Sequence, residues 1–257
     1  MTEAHIHYAV DDGVATLTLN RPEKKNALTV RMYEDLVARL TDADADKAVR
    51  VVVIRAAGDA FTSGNDLKDF ANTPPAGPDS AVFRLLLTLV DLDKPLIAEV
   101  NGVAIGLGTT LLFHADLVYA ARRARFQMPF VNLGLCPEGG STFLLPRIAG
   151  MAKASELLMF GEPFDVDTAE RVGLVTRVFD DDKLREEVAE RARALVERPA
   201  ASLRATKRLL REGLRERVKE TLHREGAVFV ERLTSPEAAE AFTAFFEKRK
   251  PDFSKFE

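Results

Sequence analysis

KPLIAEVNGVAIGLGTTLLFHADLVYA, residues 94–120, decides the fold. Leu96 to Val100 is a short run that suits a strand covered on both faces. Glycines 102, 106 and 108 lie between that strand and a helix predicted from about Thr109 to His114. Asp116 to Ala120 is the next short strand, followed by the basic turn Arg122, Arg123, Arg125. A strand, a glycine turn and a helix start aim backbone N–H groups outward, which makes a site for negative charge. The glycines imitate a dinucleotide-binding fingerprint. The third glycine of that pattern would fall at Leu111, however, and no acidic residue ends a strand about 20 residues on. His114 beside Asp116 reads as a packed or solvated helix-end histidine rather than a catalytic pair.

The same unit occurs upstream. Val51 to Ile54 is a β-branched strand, and AAGDAFTSGNDLKDF, 56–70, follows it, with Gly64 breaking the pattern and Asn65-Asp66 placed to start a helix. Before it, Ile6–Val10 and Val14–Leu19 alternate around Asp11-Asp12-Gly13, a β-hairpin signal. RPEKKNAL, 21–28, is a polar loop with Arg21, Lys24 and Lys25, either a solvated loop or a grip on an anionic ligand. Thr29 is placed to cap a helix whose apolar face is Met32, Leu36, Val37 and Leu40. NTPPAGPD, 72–79, holds three prolines in eight residues and is expected to be a mobile loop; a helix over Ala81–Val90 follows.

Downstream, helices are predicted over 150–160 and 167–172, then a strand over 174–179. Asp180-Asp181-Asp182 is expected to cap a long helix to Glu197, with Pro199 breaking it. From Ser202 the chain is helical and rich in charge of both signs, which reads as a solvated face. Ser235-Pro236-Glu237 starts a last helix to Lys250 with Ala241, Phe242 and Phe245 on its apolar side. Repeated strand–turn–helix units make an α/β core, assigned to 1–198, with a helical C-terminal region, 199–257.

Length and composition bound the function. A chain of 257 residues buries a sizeable core. Its 46% hydrophobic and 30% charged content is that of an ordinary soluble globular protein. A net charge of −4 argues against bulk affinity for nucleic acid. The single cysteine, Cys136, excludes an internal disulfide and a cysteine-based metal cage, and His5, His7, His114 and His223 are scattered. The start, MTEAHIHYAVDDG, has no basic and apolar leader pattern, and no apolar run reaches membrane-span length. A soluble, cytoplasmic protein with no membrane partner is expected.

One further stretch bears on chemistry: NLGLCPEGGSTFLLP, 132–146. Its only acid is Glu138, between Leu133, Leu135 and Cys136 on one side and Phe143, Leu144 and Leu145 on the other. A carboxylate among apolar neighbours loses hydration, so its pKa rises, and a raised carboxylate shuttles protons near neutral pH. Pro137, Gly139 and Gly140 say turn, with a helix from Ser141. From the residues alone Glu138 is either that shuttle or an acid favoured by a helix dipole.

Six stretches in register resemble the enoyl-CoA hydratase/isomerase (crotonase) superfamily over nearly the whole chain. They are LNRPEKKNAL (19–28), AFTSGNDLKDF (60–70), KPLIAEVNGVAIGLGTTL (94–111), FQMPFVNLGLCPEGGST (126–142), AERVGLVTRV (169–178) and FFEKRKPDF (245–253). The resemblance implies a spiral of ββα units with a helical trimerisation region, a trimer or dimer of trimers, and acyl-CoA thioester substrates. It implies no separate cofactor, coenzyme A entering with the substrate, and no metal. By resemblance the backbone N–H groups of Asn65, after Gly64, and of Leu107, between Gly106 and Gly108, form an oxyanion hole. Hydratases of this family carry two glutamates where this chain has Thr110 and Phe130. The acid instead stands at Glu138, as in the Δ3,Δ2-enoyl-CoA isomerase branch, which implies a double-bond shift with one group acting as base and then acid. Phe130 in place of a carboxylate would help keep water out. Arg21, Lys24, Asn26, Ala27 and Leu28 would line pantetheine and phosphates, and Ser63, Gly64, Asn65, Asp66 and Leu67 would run beside thioester and adenine. Lys248 and Lys250 either meet the 3′-phosphate, from a neighbouring subunit, or are an ordinary basic helix end. Ring isomerisation, dehalogenation, hydration of an unusual acyl-CoA, and a non-catalytic CoA-binding scaffold are the alternatives.

Overall fold

Strands β1 (Ile6–Asp11) and β2 (Val14–Leu19) are joined by Asp12 and Gly13, with φ of 43° and 79°. Two left-handed residues give a hairpin turn the twist its strands need, and the pair is antiparallel with Ile6 opposite Leu19. The structure is a computed structural model; it describes residues 4–75, 77 and 79–256, the side chains of Phe70 and Ala71 excepted. A 3₁₀ turn (Pro22–Lys24) leads to α1 (Val30–Ala45), where the Thr29 hydroxyl accepts the Met32 N–H as expected. Then come β3 (Val51–Ala56), α2 (Leu67–Asn72), α3 (Ala81–Asp91), β4 (Leu96–Val100), β5 (Val103–Ile105) and α4 (Leu107–Thr110). They are followed by β6 (Leu117–Ala121), β7 (Arg125–Gln127), α5 (Ser141–Ala149), α6 (Met151–Phe160), β8 (Phe164–Asp165), α7 (Val166–Arg171), β9 (Arg177–Phe179) and α8 (Leu184–Val196). Helices α9 (Ala200–Arg211), α10 (Arg215–Leu233) and α11 (Pro236–Phe246) close the chain, α11 capped by Ser235. No described helix is long and apolar enough to cross a membrane.

Two sheets organise these elements. The larger has the order β1-β2-β3-β4-β6-β9, parallel except at the hairpin; the smaller is β5-β7-β8. Thr62 adds an isolated parallel bridge to Ala104 at the edge of the smaller one. The chain thus makes three similar coils, each a strand in the large sheet, a strand or bridge in the small one, then a helix. They are β3–Thr62–α2, β4–β5–α4 and β6–β7–α5. Two faces of the large sheet are covered, which is why its strands read as continuous apolar runs. Val51, Val53 and Ile97 pack under α8, while Val52, Ile54 and Ala98 join the main core. Glu99, on the α8 face of β4, is buried and 3.4 Å from Arg185 of α8.

Some expectations needed correction. The predicted helix over 109–114 starts two residues earlier and tightens into a 3₁₀ turn over Leu111–His114. The strand expected over 174–179 is ordered as β9 only at 177–179, because Val175 N–H bonds back to Ala169 O in the end of α7. The aspartate triplet does not cap α8 with a side chain: Lys183 is the cap residue, and Asp181 instead accepts the Arg123 N–H. The small sheet escaped prediction because its strands are two or three residues long. Within the expected 72–79 loop, Ala76 and Pro78 lie outside the described residues.

The small sheet nevertheless anchors the core. Phe126 of β7 is fully buried and stacks on Phe164 of β8, centroids 5.6 Å apart. Phe126→Ala should therefore cost about 3–5 kcal/mol of unfolding free energy, read as a lower urea midpoint at unchanged slope.

Candidate active site

The first two coils touch backbone to backbone. Gly64 sits at φ 85°, and a Cβ there would lie 2.6 Å from the Ile105 carbonyl oxygen. Gly108 is closed to a side chain from the other direction: its Cβ would lie 2.5 Å from Thr62 Cγ2. Thr62 ties the junction further: its N–H donates to Val103 O and its carbonyl accepts the Ile105 N–H, while its hydroxyl donates to Asn26 O and accepts the Gly64 N–H. Asn65 follows Gly64, and Leu107 follows Gly106 (φ 57°), so both residues leave this junction toward the same side. Among the described residues neither the Asn65 nor the Leu107 amide N–H donates to a protein acceptor. Leu107 opens α4, where the first amides of a helix lack internal partners.

The third coil brings Glu138. It lies in the turn between β7 and α5, ahead of Gly139 and Gly140, both left-handed (φ 72° and 74°). A Cβ on Gly139 would meet Thr110 of α4 at 2.7 Å, so this turn is pressed against the second coil. The Thr110 hydroxyl donates to Glu138 Oε1 at 2.5 Å. His114 Nε2, protonated because its partner can only accept, donates to the Gly139 carbonyl at 2.9 Å. Burial, and secondarily the charge of Arg211, lowers the His114 pKa to about 4, so the ring is neutral at physiological pH. Loss of hydration is also the main influence on Glu138, whose pKa is pushed up to about 8. The Thr110 hydrogen bond opposes that rise and the nearby Glu225 carboxylate adds to it.

Asn65, Leu107 and Glu138 line one cavity of about 280 Å³. Its far walls are apolar: Val82, Phe83 and Leu86 from α3, and Leu222, Phe229 and Val230 from α10. Gly226 in mid-α10 has its reason here, since a Cβ would lie 3.2 Å from the Phe83 ring. A helix-interior glycine costs about 0.5–1 kcal/mol relative to alanine, so the space is kept for the ring.

The remaining residues singled out from sequence fall into other places. Arg21 is 2.7 Å from Asp66 and donates to Ala27 O, so its charge is paired. Asn26, expected on the ligand grip, is fully buried: Oδ1 accepts the Arg21 N–H and Nδ2 donates to Ala57 O and Ala60 O. Its side chain has no group left for a ligand. Ala27 and Leu28 are buried, with Leu28 N–H bonded to Gly64 O and Asp66 N–H to Leu28 O. Asp66 caps α2, which begins at Leu67, and Ser63 N–H bonds to Lys25 O. Lys24 is exposed, as are Lys248 and Lys250, which lie beyond the end of α11 and do not line the cavity. Phe130 does not line it either; buried, it stands one layer back with its ring edge-on to Phe229.

Two participants were not found from sequence. Tyr33 of α1 is buried and donates its hydroxyl to Asn65 Oδ1, bracing the first coil. Glu225 of α10 is buried on the cavity and takes three hydrogen bonds from the start of α5. The signal for Glu225 was present: Val218, Leu222, Glu225 and Phe229 follow helical spacing, so the acid occupies a position in an apolar stripe.

Comparison with known proteins agrees with this architecture. Residues 9–255 match the family profile described as Enoyl-CoA hydratase/isomerase. Enoyl-CoA delta isomerase 2 of Homo sapiens is 37% identical over 246 residues, which are 93% of this chain but 62% of that protein; the chain spans under two thirds of that relative's length. The 1,2-epoxyphenylacetyl-CoA isomerase of Escherichia coli K12 is 37% identical over 255 residues, 95% of this chain and 96% of the relative. The crystal structure of an enoyl-CoA hydratase/isomerase from Pseudoalteromonas atlantica T6c superposes with a TM-score of 0.92 at 41% identity, over 97% of this chain and all of that one. With the coiled ββα core, the helical C-terminal end and these matches together, the chain belongs to the enoyl-CoA hydratase/isomerase, or crotonase, family.

Proposed function

We propose that this protein moves the double bond of a 3-enoyl-CoA to give the 2-trans-enoyl-CoA. The observation that carries the reading is one available carboxylate, Glu138, on an apolar cavity it shares with the unengaged amides of Asn65 and Leu107. The other carboxylate on that cavity, Glu225, has both oxygens engaged by α5. In the proposed reaction the Glu138 carboxylate takes a proton from C2 of the acyl group. The electron pair moves into the thioester, giving a dienolate whose oxygen accepts hydrogen bonds from the two amides. Protonated Glu138 then gives the proton to C4, the C2–C3 double bond forms and the thioester carbonyl returns. No atom is gained or lost, and one group serves both steps. A hydration would need a second group to hold and activate water; Thr110 is instead the hydrogen-bond partner of Glu138. The substrate class, an acyl-CoA thioester, and a trimer or dimer of trimers are part of the same proposal. Met151, Met159 and Phe160 of α6 are each more than 60% exposed, which favours a partner surface there.

A second reading has its own support. Phe83, Phe229 and His223 give the cavity aromatic walls, and the Escherichia coli relative that matches along 96% of its length is named for an aromatic acyl-CoA. A ring-opening or ring-shifting isomerisation would use the same acid and amides.

A spectrophotometric comparison of 3-hexenoyl-CoA, crotonyl-CoA in water and a phenylacetyl-type thioester separates these. The isomerase reading expects turnover of the first and little hydration of the second. Turnover of the aromatic thioester alone selects the second reading, and binding of all three without turnover leaves a scaffold.

Glu138→Gln should lower isomerisation by about 10³-fold or more with acyl-CoA binding nearly intact. The same change should stabilise the fold. A carboxylate raised from 4.5 to about 8 binds its proton more tightly folded than unfolded, so its burial is harmless below about pH 4.5 and destabilising above it. The melting-temperature gain of Glu138→Gln should be absent near pH 4, grow with pH and level off above about pH 8. In the active enzyme kcat/KM reports the free base, so it should rise with pH toward a plateau above about pH 8.

A further inference from the structure

We infer that Glu225 is a positioning residue for Glu138: its carboxylate holds the turn that carries the acid and fixes a second negative charge on the same cavity. The inference rests on the reading of Glu138 as the acid and base. Glu225 Oε2 accepts the Gly140 N–H at 2.6 Å; Oε1 accepts the Thr142 N–H at 2.9 Å and the Thr142 hydroxyl at 2.6 Å. These donors begin two residues after Glu138, at the N-terminus of α5, where unpaired amides and the helix dipole favour a negative charge. The residue is 6% exposed and stands on α10, which also reaches the turn region through Arg232, donating to Gly134 O, and lines the cavity with Leu222, His223, Phe229 and Val230.

The hold has a mechanical purpose. Gly139 and Gly140 are both left-handed, a backbone without intrinsic preference for one form. The turn is fixed from outside instead: His114 holds the Gly139 carbonyl, Thr110 holds the Glu138 carboxylate, and Glu225 holds the amides beyond. Of the three, only Glu225 comes from the C-terminal helices, so docking of α10 is coupled to the aim of the acid.

The charge has an electrostatic purpose. Glu225 lies among the influences that raise Glu138, after loss of hydration. The other ionisable groups about the turn do not replace it. His114 is neutral, and the Cys136 thiol is pushed up to about 11 by burial and by Glu225. Tyr33 is raised well above its ordinary value by burial, with Glu138 and Asp69 contributing. His223 stands on the cavity lining, on the same helix. Arg224 acts on Glu225, and Arg211 on His114.

Wild type, Glu225→Gln and Thr142→Val are compared by kcat and kcat/KM from about pH 5 to about 10, on whichever thioester the wild type turns over. Hydrogen–deuterium exchange of residues 137–145 is followed in parallel without substrate. Glutamine must set its NH₂ group against at least one of these donors, the Gly140 N–H or the Thr142 pair, and carries no charge. Glu225→Gln should lower kcat by about 10²-fold, speed exchange in 137–145, and move the acidic limb of kcat/KM down by about a pH unit. Thr142→Val removes one hydrogen bond and keeps the charge; it should lower kcat and speed exchange with the limb in place. An unmoved limb or wild-type exchange in folded Glu225→Gln overturns the inference. If Glu225→Gln does not fold, wild-type kcat and exchange in Thr142→Val overturn it. A wild type that turns over none of the thioesters refutes the functional reading, while the exchange data still decide whether Glu225 holds the turn.

Discussion

The close approach of Gly64 to the Ile105 carbonyl is the contact on which the site depends. Two successive coils of chain can aim their amides into one space only if their backbones meet with no side chain between them. Gly64 and Gly108 satisfy that from opposite directions, and the Thr62 backbone bonds across the junction to Val103 O and the Ile105 N–H. Once this contact is made, the positions of Asn65 and Leu107 follow from covalent geometry. The third coil obeys the same rule, with Gly139 pressed on Thr110. One repeated unit, strand, short strand and helix, therefore delivers two amides and a carboxylate to the same cavity from equivalent points of three coils.

That construction explains why the surrounding loops are so fully bonded. The segment 21–28 reads as either a solvated loop or a grip on an anion; in the structure Arg21 and Asn26 tie it to Ala57, Ala60 and Asp66. They hold the first coil against the segment that precedes α1. Tyr33 does the same from α1 through the Asn65 side chain. Backbone donors are useful only when their loops do not move, because an oxyanion hole works by being organised before charge develops.

The strands and helices that bury whole faces were legible in the residues. Val51–Ile54 and Leu96–Val100 read as two-sided strands, and the structure packs alternate residues into two cores. Thr29 reads as a cap, and Asn65-Asp66 and Ser235-Pro236-Glu237 as helix starts; Thr29, Asp66 and Ser235 are the residues whose side chains cap. Glu138 reads from the residues as either a desolvated acid or one favoured by a helix dipole; the structure buries it against Thr110, on a cavity walled by α3 and α10. What was not legible depends on residues far apart in the chain. The pairing of β5, β7 and β8 joins segments too short to carry a period. Glu225 lies 85 residues from Gly140, in a helical stretch whose many charges of both signs mask one buried acid. The aspartates at 180–182 show the opposite error, a local cap signal overridden when Asp181 turned to the Arg123 amide.

A base that must also return its proton faces two opposed demands. It must be strong enough to take hydrogen from carbon, and its conjugate acid must be strong enough to give that hydrogen up again. On the proposed mechanism dehydration would answer the first by raising Glu138 to about 8. The amides of Asn65 and Leu107 would answer the second from the substrate's side, lowering the energy of the dienolate so that the carbon acid comes closer to the carboxyl group in strength. An apolar wall serves both, since it dehydrates the acid and strengthens the amide hydrogen bonds together. The second carboxylate on the cavity, Glu225, has both oxygens engaged by the start of α5, and on the proposed mechanism a free group able to hold water beside Glu138 would rehydrate it and undo that shift.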